Sequence, residues 1–132
     1  MEFQSIKSSE DAELFLEKTN SLHDGYIVGV QYTNDVLTNV DENGYFTNPD
    51  ATKLVLRILV TSIWDTVVEI EFENLLEWQV LNNTYYYVIL DTSISFDDKG
   101  YIIWADGVWK NRDDLEGYSF AIAKSMKWRI AE

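Results

Sequence analysis

His23 stands directly before Asp24 in Leu22-His23-Asp24-Gly25, and it is the single histidine of the chain. Imidazole titrates near neutrality, so an imidazole oriented by a carboxylate has the makings of a general base. No nucleophile accompanies it, and residues between a helix end and a strand commonly satisfy loose backbone groups, so the sequence assigns His23 a structural role. Glu69 and Glu71 raise a second possibility. On a strand they share a face at about 7 Å, a spacing compatible with paired acid and base roles in glycoside hydrolysis. Glu73 continues the row, however, and Val68, Ile70 and Phe72 alternate with it, which predicts three carboxylates on a solvent face.

A third pattern resembles a calcium loop: Asn39, Asp41 and Asn43 alternate oxygen ligands before Gly44. The first ligand position is Asn rather than Asp, the twelfth is Asp50 rather than Glu, Pro49 stiffens the exit, and no helices flank the segment. A turn at Asp41-Glu42-Asn43-Gly44, without metal, is the expectation. Asp97-Asp98 and Asp113-Asp114 likewise predict turns. The aromatic residues offer recognition instead of catalysis. Tyr85-Tyr86-Tyr87, Trp104 and Trp109 supply rings for a sugar platform or for anchors into a partner, in competition with core packing. Phosphate-binding glycine loops, serine elbows and His-Glu zinc patterns are absent.

The elements that must position these residues are readable from periodicity. Ser8 or Ser9 caps a helix whose first turn carries Glu10, Asp11 and Glu13, and whose inner face is Ala12, Phe15, Leu16 and Thr19. It should stop near Asn20. Beyond it the period falls to two. Strands are predicted at Tyr26 to Thr33, Lys53 to Ser62, Val67 to Glu73, Tyr85 to Phe96, Tyr101 to Ala105, and Tyr118 to Ile130. Trp64-Asp65-Thr66 joins the second and third as a hairpin, and Asp97-Asp98-Lys99-Gly100 joins the fourth and fifth. Residues 74–83 fit either a short helix or a bent continuation of the preceding strand. Lys124 interrupts an apolar alternation, which predicts an edge or a bulge. The sum is one domain of the β-rich α+β class, with about six antiparallel strands in a sheet or sandwich and one N-terminal helix.

Charge narrows the partners. The 132 residues carry 23 acidic and 10 basic side chains, a net of −13. Such a surface repels phosphate backbones and anionic lipid heads, and favours a basic protein, metal ions or solubility alone. Half of the basic residues fall in the last 23 positions, which predicts a strand whose cations offset acidic neighbours or a lysine-blunted edge. The absence of cysteine excludes disulfides and thiolate chemistry and suits the cytoplasm. No secretory leader is expected from Met1-Glu2-Phe3-Gln4-Ser5-Ile6, and the longest apolar-rich stretch, Leu54 to Trp64, is too short to span a bilayer.

The run Leu22-His23-Asp24-Gly25-Tyr26-Ile27, followed by Val30 and Tyr32, resembles the opening of small bacterial families with a His-Asp-Gly or His-Asp-Ser entry to their first strand. Phe96-Asp97-Asp98-Lys99-Gly100-Tyr101-Ile102-Ile103-Trp104 and Ala123-Lys124-Ser125-Met126-Lys127-Trp128-Arg129 are similar in style. Some of these families look like immunity proteins of polymorphic toxin systems. The resemblance implies neutralisation by binding, with no catalytic residue and no cofactor. The expectation is therefore a cytoplasmic bacterial inhibitor, not an enzyme, that occludes a basic toxin. Glu69, Glu71, Glu73, Asp97 and Asp98 would steer the encounter, and Tyr85, Tyr87 and Trp109 would anchor it. The alternative is a carbohydrate- or small-ligand-binding module using surface aromatics. An enzyme built on His23-Asp24 or on Glu69 and Glu71 ranks below both.

Overall fold

The computed structural model describes residues 1–35, 41–44, 51–81 and 88–131. Helix α1, Ser9–Lys18, begins where Ser8 accepts a hydrogen bond from the Asp11 amide at 3.2 Å, with Glu10 and Asp11 in the first turn and Lys18 in the last. Its buried face is Ala12, Phe15 and Thr19, with Leu16 half-buried, as the spacing predicts. The Thr19 hydroxyl ends the helix by donating to the Phe15 carbonyl at 2.8 Å.

Eight strands among the described residues form one antiparallel sheet: β1 (Gln4–Ser5), β2 (Gly25–Asn34), β3 (Thr52–Val60), β4 (Thr66–Gln79), β5 (Val88–Ile89), β6 (Ser93–Phe96), β7 (Ile102–Ala105) and β8 (Phe120–Ala131). The order is β5-β2-β3-β4-β8-β7-β6, with β1 paired to β8. The β-rich α+β class and both hairpins, β3–β4 and β6–β7, follow the sequence pattern.

One expectation is corrected and one open alternative is decided. Tyr85 to Phe96 is not one strand: β5 pairs with β2 at one end of the order and β6 pairs with β7 at the other. Only Leu90, Asp91 and Thr92 join them. Four residue steps reach at most about 14 Å, so the two ends of the sheet must curl toward one another. Residues 74–79 continue β4 as strand, bent at Asn74 (φ 59°), where the Leu75 amide turns to the Thr52 hydroxyl at 2.8 Å.

The bend coincides with a change of face in β8. Met126 and Trp128 point into the main core on one side of it, and Ala121 and Ala123 on the other. Lys124 lies at this switch, but β8 is central between β4 and β7 and the ladder's bulge is on β4, between Leu75 and Glu77 opposite Ala123 and Ile122, while Lys124 sits in regular register between Ser125 and Ala123, so neither an edge nor a bulge is found at Lys124 itself. The main core places Phe15 edge-on to Trp128 (ring centroids 5.1 Å apart) over Leu54, Leu56, Ile58, Val68, Ile70 and Phe72. Each such large apolar side chain contributes roughly 1.5–3 kcal/mol when fully buried. A second cluster, Ile103, Ala105, Leu115, Phe120 and Ile122, sits beneath the 3₁₀ segment Arg112–Gly117.

Candidate functional site

The outer face of β3, β4 and β8 carries the carboxylates singled out above. Antiparallel register sets Glu69 between Arg57 and Arg129, and Glu71 opposite Lys127. Arg57 Nη1 lies 2.9 Å and Arg129 Nη2 3.3 Å from Glu69 carboxylate oxygens. Lys53 Nζ and Lys127 Nζ lie 2.8 and 3.1 Å from the two oxygens of Glu71, and Lys127 also reaches Glu73 at 3.3 Å. Phe3 covers the cations, with Arg129 Cζ 4.4 Å and Lys127 Nζ 5.1 Å from its ring centre.

This overturns the solvent-face expectation for Glu69 and Glu71, which are only 8% and 7% exposed, while Glu73 is half-buried. Alternation puts them on the outer face, but aliphatic stems from both neighbouring strands close over them. Burial acts to raise the Glu71 carboxyl, and the hydrogen bonds from Lys53 and Lys127 outweigh it and hold the group below its ordinary range. Those bonds also raise both lysines. Four cations against three carboxylates reverse the charge balance of the chain on this face. Such a ladder pairs every one of its carboxylates, although the buried Nε of Arg129 has no hydrogen-bond partner. It offers no free acid for steering and none of the proton exchange that paired glycosidase carboxylates require.

Asp97 and Asp98 occupy the β6–β7 turn. Asp97 Oδ1 accepts from the Lys99 and Tyr101 amides at 2.9 and 2.8 Å, which commits it to the turn, while Asp98 is exposed. Glu73 meets the turn end of this hairpin across a groove of about 540 Å³, shared with Phe96, Ile102, Lys124 and Lys127. Trp109 is half-buried against the second cluster, so core packing claims most of it. Tyr85 and Tyr87 lie outside the described residues, as do Asn39 and Asp50. Within that loop, Asp41 Oδ1 accepts from Asn43 at 2.9 Å and Gly44 holds φ 84°, a turn as expected. Asp114 caps the 3₁₀ segment, and the amides of Asn111 and Lys110 hold its carboxyl below the ordinary range.

His23 does link elements. Its Nδ1 donates to the Leu90 carbonyl at 2.8 Å, which fixes the tautomer, and Nε2 stands 3.6 Å from Asp24 Oδ1, beyond hydrogen-bond reach. The backbone carbonyl of His23 accepts from Ser62 Oγ at 2.6 Å, and Ser62 Oγ in turn accepts from Asn20 Nδ2 at 3.1 Å.

The residue that sequence reasoning missed is Trp64. It is 98% exposed on the β3–β4 connection. Its position in a turn was legible, but nothing local distinguishes an indole folded inward from one held in solvent. Compared with known proteins, the chain matches no family model, no curated protein and no solved structure.

Proposed function

We propose that the protein neutralises a basic protein partner by occluding it, in the manner of an immunity-type inhibitor of the bacterial cytoplasm. The supporting observation is where the acid lies once the β4 ladder is accounted for. The ladder uses three carboxylates and four cations, leaving twenty acidic against six basic residues elsewhere. Glu10, Glu13 and Glu17 recur at helical spacing along the exposed side of α1, and Asp65, Asp98 and Asp113 stand exposed on turns. Opposite charge on a partner would accelerate encounter and suppress anionic competitors.

The test is association kinetics against a basic protein captured from the native host. The on-rate should fall steeply with added salt while dissociation changes little, because exposed charges are screened beyond about 8 Å at physiological ionic strength. Reversal of Glu10, Glu13 and Glu17 to Lys should fold and lose most of the steered rate. A salt-independent on-rate defeats the proposal.

The small-ligand reading keeps one observation in its favour. The groove between β1 and the β6–β7 hairpin has the volume of an ordinary ligand site, about 540 Å³. Saturable binding of a sugar or small anion that Lys124→Ala abolishes would promote it over the first reading.

A further inference from the structure

Seven non-glycine residues hold positive φ among the described residues, and six of them meet in one corner. Asn20, Ser21, Leu22 and Asp24 (φ 52–59°) form the turn after α1, and Trp64 and Asp65 (φ 61° and 51°) form the return from β3 to β4. Hydrogen bonds lace the two turns together. Thr61 Oγ1 donates to the Asp24 carbonyl at 2.9 Å and Ser62 Oγ to that of His23 at 2.6 Å. Gly25 completes the joint, since a Cβ there would stand 2.6 Å from the Leu22 carbonyl oxygen. Left-handed backbone in bulky residues is costly and persists only where the surroundings over-determine it. Here it carries an indole into water, and the same corner ties the carbonyl of the exposed Leu90 to His23.

Exposed apolar side chains scattered singly need no explanation, but this indole stands on the same two laced turns as half-exposed Asp24 and exposed Asp65. An exposed indole that shares its turns with carboxylates is complementary to a guanidinium, which stacks on the ring face and is weakly hydrated. We infer that this corner is the docking point for an arginine side chain on the basic face of a protein partner, with Trp64 as the anchor and Asp24 and Asp65 as its charge complement. The inference rests on the basic-partner reading and locates its contact. A nucleic acid does not fit, because its phosphates would face the same carboxylates.

The probe is a hexa-arginine peptide, with hexa-lysine as comparison, titrated at low ionic strength into each protein and followed by isothermal titration calorimetry, a signal that does not depend on the indole being replaced. The wild type should bind hexa-arginine more tightly than hexa-lysine. Trp64→Ala should lose about three- to fivefold in affinity, the measure of an exposed cation–π contact, and Trp64→Phe should retain most of it. The pair Asp24→Asn with Asp65→Asn should cost more than Glu13→Gln with Glu17→Gln, which removes the same charge from α1. Thermal melts establish that each variant folds. If Trp64→Ala binds as wild type, or if the two amide pairs lose equally, the corner is not the docking point while the basic-partner reading stands. If neither peptide binds the wild type, both fall.

Discussion

Replacing Trp64 by Gly should stabilise the protein, although it deletes the largest side chain available. The indole is 98% exposed, so its removal sacrifices almost no buried surface. The backbone at φ 61° and ψ 42° costs an L-residue about 1–2 kcal/mol relative to right-handed alternatives, and glycine is exempt. Glycine surrenders more unfolded-state freedom, about 0.5–1 kcal/mol, which leaves a net gain of about 0.5–1 kcal/mol. For a chain of this size that is about 2–4 °C in melting temperature. Trp64→Ala is the control, because alanine pays the same left-handed penalty and should melt with the wild type. Differential scanning calorimetry of the three proteins separates the terms. A lower melting temperature for the glycine variant would mean that the indole packs on the protein in solution. Equal gains in both variants would mean that the relief is not conformational. The expected result, a more stable protein that binds arginine peptides less well, is the usual trade between strain held at a contact and stability.

Further expectations concern burial and charge. Glu71→Gln should destabilise by roughly 1–2 kcal/mol at neutral pH, since two half-exposed lysines lose the anion between them. Because the folded Glu71 carboxyl is held low, the stability it lends is present above its ordinary range and lost as pH falls through the folded value, so wild type and variant should converge in acid denaturation melts. Asp106 runs the other way. Burial raises its carboxyl against the hydrogen bonds from Ser119, so its contribution is present in acid and lost as pH rises through the folded value. Asp106→Asn should therefore raise the melting temperature at pH 7 and leave it unchanged near pH 3. Gly107→Ala should destabilise by about 1–3 kcal/mol in urea titration, because the new methyl would lie 2.2 Å from a carbon of the Tyr118 ring. His23→Ala should cost about 0.5–1.5 kcal/mol through the lost bond to Leu90 without touching affinity for a partner, and unchanged melting would contradict its linking role.

What the chain discloses unaided is what depends on neighbours a few residues apart. The Ser8 cap, the Ala12-Phe15-Thr19 face and the alternation of Val68, Ile70 and Phe72 are all local patterns, and each maps onto the structure. The split between β5 and β6 is not local. Leu90, Asp91 and Thr92 contain neither Gly nor Pro, and a period of two does not register that a strand has changed partners. The burial of Glu69 is of the same kind: it depends on Arg57, 12 residues upstream, and Arg129, 60 residues downstream, arriving on either side. The concentration of cations near the C-terminus hinted at such compensation without giving the register. The strained corner lay hidden for a different reason. Asn20 and Asp24 tolerate left-handed backbone, but Leu22 and Trp64 adopt it only because tertiary hydrogen bonds oblige their turns to.

The position of β8 has a consequence for the order of synthesis. This strand pairs with β4, β7 and β1, yet it is made after all of them. Until Trp128 arrives, Phe15 lacks its ring partner, the outward carboxylates of β4 lack Lys127 and Arg129, and the sheet stands open at its middle. An unfinished sheet with bare strand margins is a hazard for self-association on the ribosome. The first 109 residues carry 19 acids and only 5 bases, so each nascent chain repels its neighbours through the interval when its margins are bare. The segment that closes the sheet is also the one that delivers the missing cations. Mutual repulsion between growing chains is thus strongest while they are incomplete, and it relaxes on the face of β4 at the moment the fold is sealed.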